Sequence, residues 1–289
     1  MTEFKFPATV TSGRGLATVT AFNVDAAEPV FVASESHPHW EGILDGLRKG
    51  DPNVWGLFDV ATGVMSRLRQ ISERYSYNGS EVLFDGDPVS GPFADLLTRS
   101  LEEGNSDNYT ALAKFGEKLA SNPSEHSREQ AYRFLANHRF QITADGDVVA
   151  YKYVTSLGDG LYQSGHASRS KGKPSGYVNG VPVPELSHIP QRVGDVVTMP
   201  RSEVVEDPSL SCERGLHVGT VNYFGGWSEH TFEVHVNPRD FVSIPQGEDA
   251  KARVCRYYVA RVASTAPEGD KVLTDTPSHQ WTGDVGYKV

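Results

Sequence analysis

Cysteine is the rarest residue in this 289-residue chain, with two copies, Cys212 and Cys255. Two thiols cannot make a disulfide framework, so the fold rests on packing and a reducing compartment is expected. No apolar run reaches the roughly 18 residues of a membrane-spanning helix. The most apolar window, Val54 to Met65, is too short and carries Asp59. The opening Met-Thr-Glu-Phe-Lys-Phe-Pro lacks the apolar stretch of a signal peptide, which predicts a soluble protein of the cytoplasm, not a secreted one. Phosphate-cradling loops are missing too, because Gly225-Gly226 has no following Lys-Ser/Thr and no preceding strand. Positive charge is short: Lys and Arg number 27 against 37 Asp and Glu, a formal charge of -10. That balance argues against general nucleic-acid binding, which needs clustered cations.

Apolar residues, at 38% with 10% aromatics, suffice for a real core, and the length fits about two domains. Residues 5–33 alternate apolar and polar, as in Ala17-Thr18-Val19-Thr20-Ala21-Phe22, and predict a small β-unit. From His37 to His138 the period becomes helical. Trp40, Ile43, Leu44 and Leu47 stop at Gly50; Phe93, Leu96, Leu97 and Leu101 stop at Gly104. Two more helices hold Leu112, Phe115 and Leu119, then Ala131, Phe134 and Leu135. Between them, short strand-like runs surround the hairpin signals Asn78-Gly79 and Asp85-Gly86.

After Phe140 the period is two. Phe140 to Thr143, a turn at Asp145-Gly146 and Val148 to Val154 predict a hairpin. Further strands are expected at Asp195–Met199, Thr231–Val236, Phe241–Ile244 and Arg253–Val262. A long loop rich in Gly, Ser, Pro and Lys is expected from Ser156 to Arg192, and a loose polar tail from 267 to 289. The fold class is therefore α+β: an N-terminal β-unit, a helical middle region, and a C-terminal mixed-strand domain with long loops. The boundaries read as 1–138, 139–266 and 267–289.

The least generic stretch runs from Gly194 to Gly226. Ala150-Tyr151-Lys152 precedes it, and it contains Met199-Pro200-Arg201 with Glu206-Asp207, then Cys212-Glu213-Arg214-Gly215-Leu216-His217-Val218. Pro238-Arg239-Asp240, Val242-Ser243-Ile244-Pro245 and Cys255-Arg256-Tyr257 follow. In order and spacing these strings resemble the C-terminal half of the rIIB family of bacteriophage proteins, known from T-even phages and their relatives. A looser similarity reaches back through Tyr77-Asn78-Gly79 to the helices ending at Leu135. The chain departs from the T-even pattern in a longer loop at Lys171–Gln191. It also lacks a helix-turn-helix-like N-terminal extension, so no DNA-binding role is expected from that part.

The resemblance implies a phage accessory protein acting by binding, in lysis control or in countering exclusion and host or prophage defence. It implies the host cytoplasm, at the inner face of the membrane, as the place of action. Candidate partners are an rIIA-like phage protein, a host defence or membrane component, the membrane surface and a second copy of the chain. Two rival functions stand beside it: an enzyme of thiol or nucleotide chemistry, and a structural, virion-associated protein.

Several residues could carry chemistry. Cys212, His217, Cys255 and His166 make a Cys2His2 set suited to tetrahedral zinc, and the resemblance has a Cys or His at each place. No Cys-x2-Cys pair anchors that set, and buried thiols with a backbone-bonded histidine account for the same residues, so no cofactor is firmly implied. Cys212 could act as a nucleophile with His217 or His166 as base and Asp207 orienting the ring. Gly215 to Gly219 with Tyr223 resembles the Gly-aromatic strand of ADP-ribosyltransferase-like folds, for which Glu233 is the convenient catalytic carboxylate. Arg201, Tyr223 and Trp227 are ligand-binding candidates. The basic loop Arg169 to Lys173 could touch phosphates or an anionic membrane surface.

Overall fold

The computed structural model describes residues 4–12, 17–26, 29–35, 37, 39–58, 72–77, 82–89, 91–102, 106–137, 141–164, 175–184, 188–220, 230–247, 250–263, 271–273, 276 and 279–281. The chain divides into two compact units, residues 1–110 and 111–289.

In the first unit, β1 (Ala8–Thr11), β2 (Thr18–Phe22) and β3 (Val30–Ser34) form an antiparallel sheet in that order. Alternation buries Val19, Ala21 and Ala33 on one face, where they meet Ile43, Leu44 and Leu47 of α1 (Trp40–Lys49) and Val54 of α2 (Val54–Phe58). Helix α1 stops because Gly50 takes a left-handed conformation, φ 72°, and its N–H returns to the Gly46 carbonyl. A small sheet of β4 (Tyr75–Tyr77), β5 (Val82–Phe84) and β6 (Asp87–Pro88) turns at Asp85 and Gly86, both at positive φ. The expected turn at Asn78-Gly79 lies outside the described residues. Helix α3 (Gly91–Glu102) follows.

The second unit begins inside α4 (Ser106–Ala120) and continues through α5 (Glu125–Asn137). These two helices were expected with the N-terminal part, ending at 138. Instead α5 and the turn before it are bonded to the C-terminal strands.

Those strands are β7 (Gln141–Thr143), β8 (Val148–Gly158), β9 (Leu161–Ser164), β10 (Gly176–Val178), β11 (Val181–Val183), β12 (Pro190–Gln191), β13 (Val196–Thr198) and β14 (Leu216–Gly219). They continue as β15 (His230–Val236), β16 (Phe241–Ser243), β17 (Lys251–Val254), β18 (Arg256–Ala263) and β19 (Lys271–Leu273). The main path is β11-β10-β13-β18-β15-β8-β14-β17-β16. Strands β17 and β18 are one run of chain interrupted only at Cys255, yet they border opposite ends of the five-strand stretch β17-β14-β8-β15-β18.

On β8 and β15 the register places Val148, Ala150 and Lys152 opposite Val236, Val234 and Phe232 on one face, and Val149 and Tyr151 opposite His235 and Glu233 on the other. Both faces are covered, so both read as apolar runs with isolated polar residues. The β7–β8 turn packs against α4 so closely that a Cβ on Gly146, at φ 77°, would lie 2.5 Å from the Phe115 backbone nitrogen. Only glycine fits there.

The stretch expected as one long loop, 156 to 192, carries β9 to β12, whose turns use Asp159-Gly160 and Asn179-Gly180 at positive φ. The tail is anchored as well. Strand β19 pairs in parallel with β7, and the Trp281 indole donates to Asp147 Oδ2 at 2.9 Å. Asp147 is buried and also receives Lys118 at 2.6 Å.

Candidate functional site

The motif residues gather in the second unit around β14, β16 and the β17–β18 junction. Arg201, in a one-turn 3-10 helix after Met199-Pro200, donates from Nη2 to Asn122 Oδ1 (3.1 Å) and Ser127 Oγ (3.0 Å), and from Nη1 to the Arg239 carbonyl (3.2 Å). Asn122 and Ser127 in turn donate to the carbonyls of Phe241 (2.9 Å) and Val242 (2.7 Å), while Gln130 Oε1 accepts the Ile244 N–H (2.6 Å). Side chains of α5 and its preceding turn thus satisfy the outer edge of β16, which would otherwise expose unpaired backbone. Arg201 is a hub of this contact.

Asp240, from Pro238-Arg239-Asp240, is fully buried and accepts Arg256 Nε at 2.7 Å. Cys255 is buried at the same junction: its N–H donates to the Asp240 carbonyl at 3.0 Å and its thiol lies 3.9 Å from Asp240 Oδ1. Cys255 is therefore part of an internal corner.

Arg253 is also fully buried. Its guanidinium donates to the carbonyls of Leu210 and Asp207 (each 2.6 Å) and to Ser243 Oγ (2.9 Å), pinning the loop that carries Cys212. Asp207 caps its own turn through the N–H and hydroxyl of Ser209 (2.9 and 2.7 Å), bonds that hold its carboxyl below the usual range. Cys212 is exposed and accepts from Ser211 Oγ at 3.7 Å. The orienting pair of Asp207 with the His217 ring is not formed among the described residues.

His217 sits directly opposite Arg253 in the β14–β17 ladder. Burial is the main force lowering its pKa to about 3, helped by the charges of Lys152, Lys251 and Arg253, while a hydrogen bond to the Glu213 backbone opposes them. The folded value lies below the ordinary 6.5, so the unfolded chain holds the extra proton between the two. The stabilising contribution of the neutral ring is present above pH 6.5 and is lost as pH falls toward 3. Going from pH 7 to 4.5 should remove about 2–3 kcal/mol through this group. Urea unfolding of His217→Gln should show a pH loss smaller by that amount; equal losses in both proteins would contradict the assignment.

Beside it, the β8–β14 ladder has a single register pair, Gly219 with Tyr151. Lys152 follows Tyr151: its Nζ donates to the His217 carbonyl at 2.7 Å and lies 5.4 Å from the Tyr257 ring centroid. Burial pulls the ammonium down to about 8. Lys152 stands in the Tyr-Lys motif, yet the sequence carried no signal of its exceptional setting, because burial and missing counter-charge are tertiary facts.

On the opposite face, Glu233 is buried and accepts Arg261 Nε at 2.8 Å, Thr276 Oγ1, and His235 Nε2 at 3.1 Å. Burial works to raise its pKa, but these bonds outweigh it and keep the carboxyl lowered. Burial, helped by the Glu233 charge, pushes the neighbouring Tyr151 phenol upward. Glu233 is thus committed to holding the tail segment through Thr276. His166, Tyr223, Trp227 and the basic loop 169–173 lie outside the described residues. Among the described residues no group of three or more His, Cys, Asp or Glu is placed to hold a metal ion, and no helix is long and apolar enough to cross a membrane.

Comparison with known proteins agrees with the motif strings. No solved structure matches the chain. Protein rIIB of Enterobacteria phage T4 is 31% identical over 195 residues, covering 66% of this chain; the match spans about half, 54%, of that relative. The family described as Bacteriophage T4 protein rIIB matches residues 83–274, which include α4, α5 and every strand of the second unit. The chain belongs to the bacteriophage rIIB family.

Proposed function

We propose that this protein works by binding, as a phage accessory factor in lysis control or in countering exclusion by resident prophages and host defence. Its partner is an rIIA-like phage protein or a host membrane component, met in the host cytoplasm at the inner membrane face. Family membership across the second unit carries the reading. Supporting it, the polar motif residues Arg201 and Asp240, and the separate candidate carboxylate Glu233, are bonded within their own fold. Such use suits a scaffold that presents a surface. The test is plating of a phage that lacks the gene on an excluding lysogen. Wild-type protein supplied from a plasmid should restore plaques to near the efficiency on a permissive host. Failure to restore them, with the protein present at normal levels, overturns the reading.

A further inference from the structure

The first unit carries a pocket that lies before the family match at residues 83–274. Its volume is about 490 Å³, within the ~300–1,000 Å³ typical of small-ligand sites. The turn after β3 contributes Glu35, His37 and His39 to its walls, the first turn of α1 adds Trp40 and Glu41, and α2 adds Leu57. This connection is braced from within. The His39 N–H donates to His37 Nδ1 at 3.1 Å, the Trp40 N–H to the His37 carbonyl at 2.9 Å, and Glu35 Oε2 accepts the Ala17 N–H at 3.0 Å. Charge in the pocket is of one sign. Among the described residues neither Lys nor Arg lines it, and no ion pair engages Glu35 or Glu41. Burial lowers the His37 pKa, against a hydrogen bond to the Phe58 backbone, so that ring is neutral at pH 7. Single unpaired carboxylates are ordinary on a surface; two of them beside an indole in one concavity are a cation-recognising arrangement.

We propose that this pocket binds a guanidinium group on a short aliphatic chain, with the Glu35 and Glu41 carboxylates as acceptors and the Trp40 ring as the stacking face. A guanidinium suits these walls better than an ammonium, because its planar fork donates two N–H groups to one carboxylate and its face stacks on aromatic rings. Leu57 gives the aliphatic stem an apolar surface to lie on. The net charge of -10 attracts cations at longer range, and the same two carboxylates repel anions. The group is carried by a free guanidine compound or by an arginine side chain of a partner segment.

This site goes beyond the lysis-control reading, and its test is independent of plaque formation. The full-length protein is titrated calorimetrically at pH 7 and low ionic strength with agmatine, with blocked glycyl-arginyl-glycine, and with the same peptide carrying neutral citrulline. Saturable binding of both guanidinium probes is expected, with Kd below about 1 mM and the citrulline peptide at least about tenfold weaker. Tighter binding of the arginine peptide places the group on a protein partner; tighter binding of agmatine places it on a free small molecule. Glu35→Gln keeps an acceptor for the Ala17 N–H and should weaken binding about tenfold. Asp45→Asn makes the same charge change on α1 outside the pocket and should alter affinity by less than about twofold. Gly42 also lines the pocket, and a Cβ there would meet Leu57 Cδ1 at 3.4 Å, an ordinary contact. Gly42→Leu should therefore fill the pocket and abolish binding, while the urea midpoint stays or rises because leucine is the better helix former. Should that variant fail to fold, Glu35→Gln carries the comparison. Equal affinity for the citrulline peptide, an equal loss in Asp45→Asn, full affinity in folded Gly42→Leu, or no saturable binding up to about 10 mM agmatine overturns the proposal.

Discussion

Asp240→Ala is expected to destabilise the second unit by about 3–5 kcal/mol, because it leaves Arg256 in the interior without its carboxylate. Both partners are almost fully buried, at 0% and 5% exposure. The penalty is that of an uncompensated buried cation more than of a lost bond, and it has a signature. Replacing both residues with apolar ones, Asp240→Leu with Arg256→Met, should recover much of the loss. Urea unfolding followed by tryptophan fluorescence measures both. A single variant within about 1 kcal/mol of wild type would show that the corner at Cys255 does not depend on the pair. The same corner joins β17 to β18, so its loss should loosen both borders of the five-strand stretch together. Hydrogen exchange on β14 and β15 would then rise in step.

Arg253→Ala is expected to have a comparable effect, a loss of about 3–4 kcal/mol, for a different reason. One guanidinium serves three acceptors on two segments: Asp207 and Leu210 carbonyls in the Cys212 loop and Ser243 on β16. Without it, those acceptors lose their donor and the stem of a fully buried side chain leaves a cavity. The loop should come away before the sheet does. Limited proteolysis is expected to cut between 205 and 214 in the variant and to spare wild type. Arg253→Lys should rescue little, since an ammonium cannot reach three divergent acceptors with the geometry of a planar fork. Full stability and protease resistance in Arg253→Ala would contradict the role assigned to this residue.

Where local chemistry decides the structure, the sequence was readable. The stripe of Ile43, Leu44 and Leu47 closed by Gly50 became α1, and Asp145-Gly146 between two period-two runs became the β7–β8 hairpin. Strands expected at 195–199, 231–236, 241–244 and 253–262 fall on β13, β15, β16 and the β17–β18 run. The stretch 156–192 reads as a loop because its strands are two to four residues long and interrupted by Gly and Pro. Asp159-Gly160 and Asn179-Gly180 are turn signals of the same kind as Asp145-Gly146. The tail was illegible because β19 draws its order from a parallel partner about 130 residues away in sequence.

The candidate site was half legible. Cys212, His217, Asp207 and Arg201 were singled out from their motif. What each one does depends on partners far along the chain. Asn122 and Ser127 claim Arg201, and Ser209 claims Asp207 before His217 can. Lys152 carries no such signal, because the carbonyl and the aromatic ring that hold it lie on β14 and β18, far along the chain.

The most direct measurement for the whole account is plaque efficiency on an excluding lysogen for a gene-deleted phage complemented with wild type or Cys212→Ser, with circular dichroism confirming that both are folded. A protein that acts by binding, with Cys212 exposed on a pinned loop where the Ser211 hydroxyl donates to its thiol, should restore plaques equally well in both forms. A folded Cys212→Ser that fails where wild type succeeds would contradict the account and make the thiol a working group.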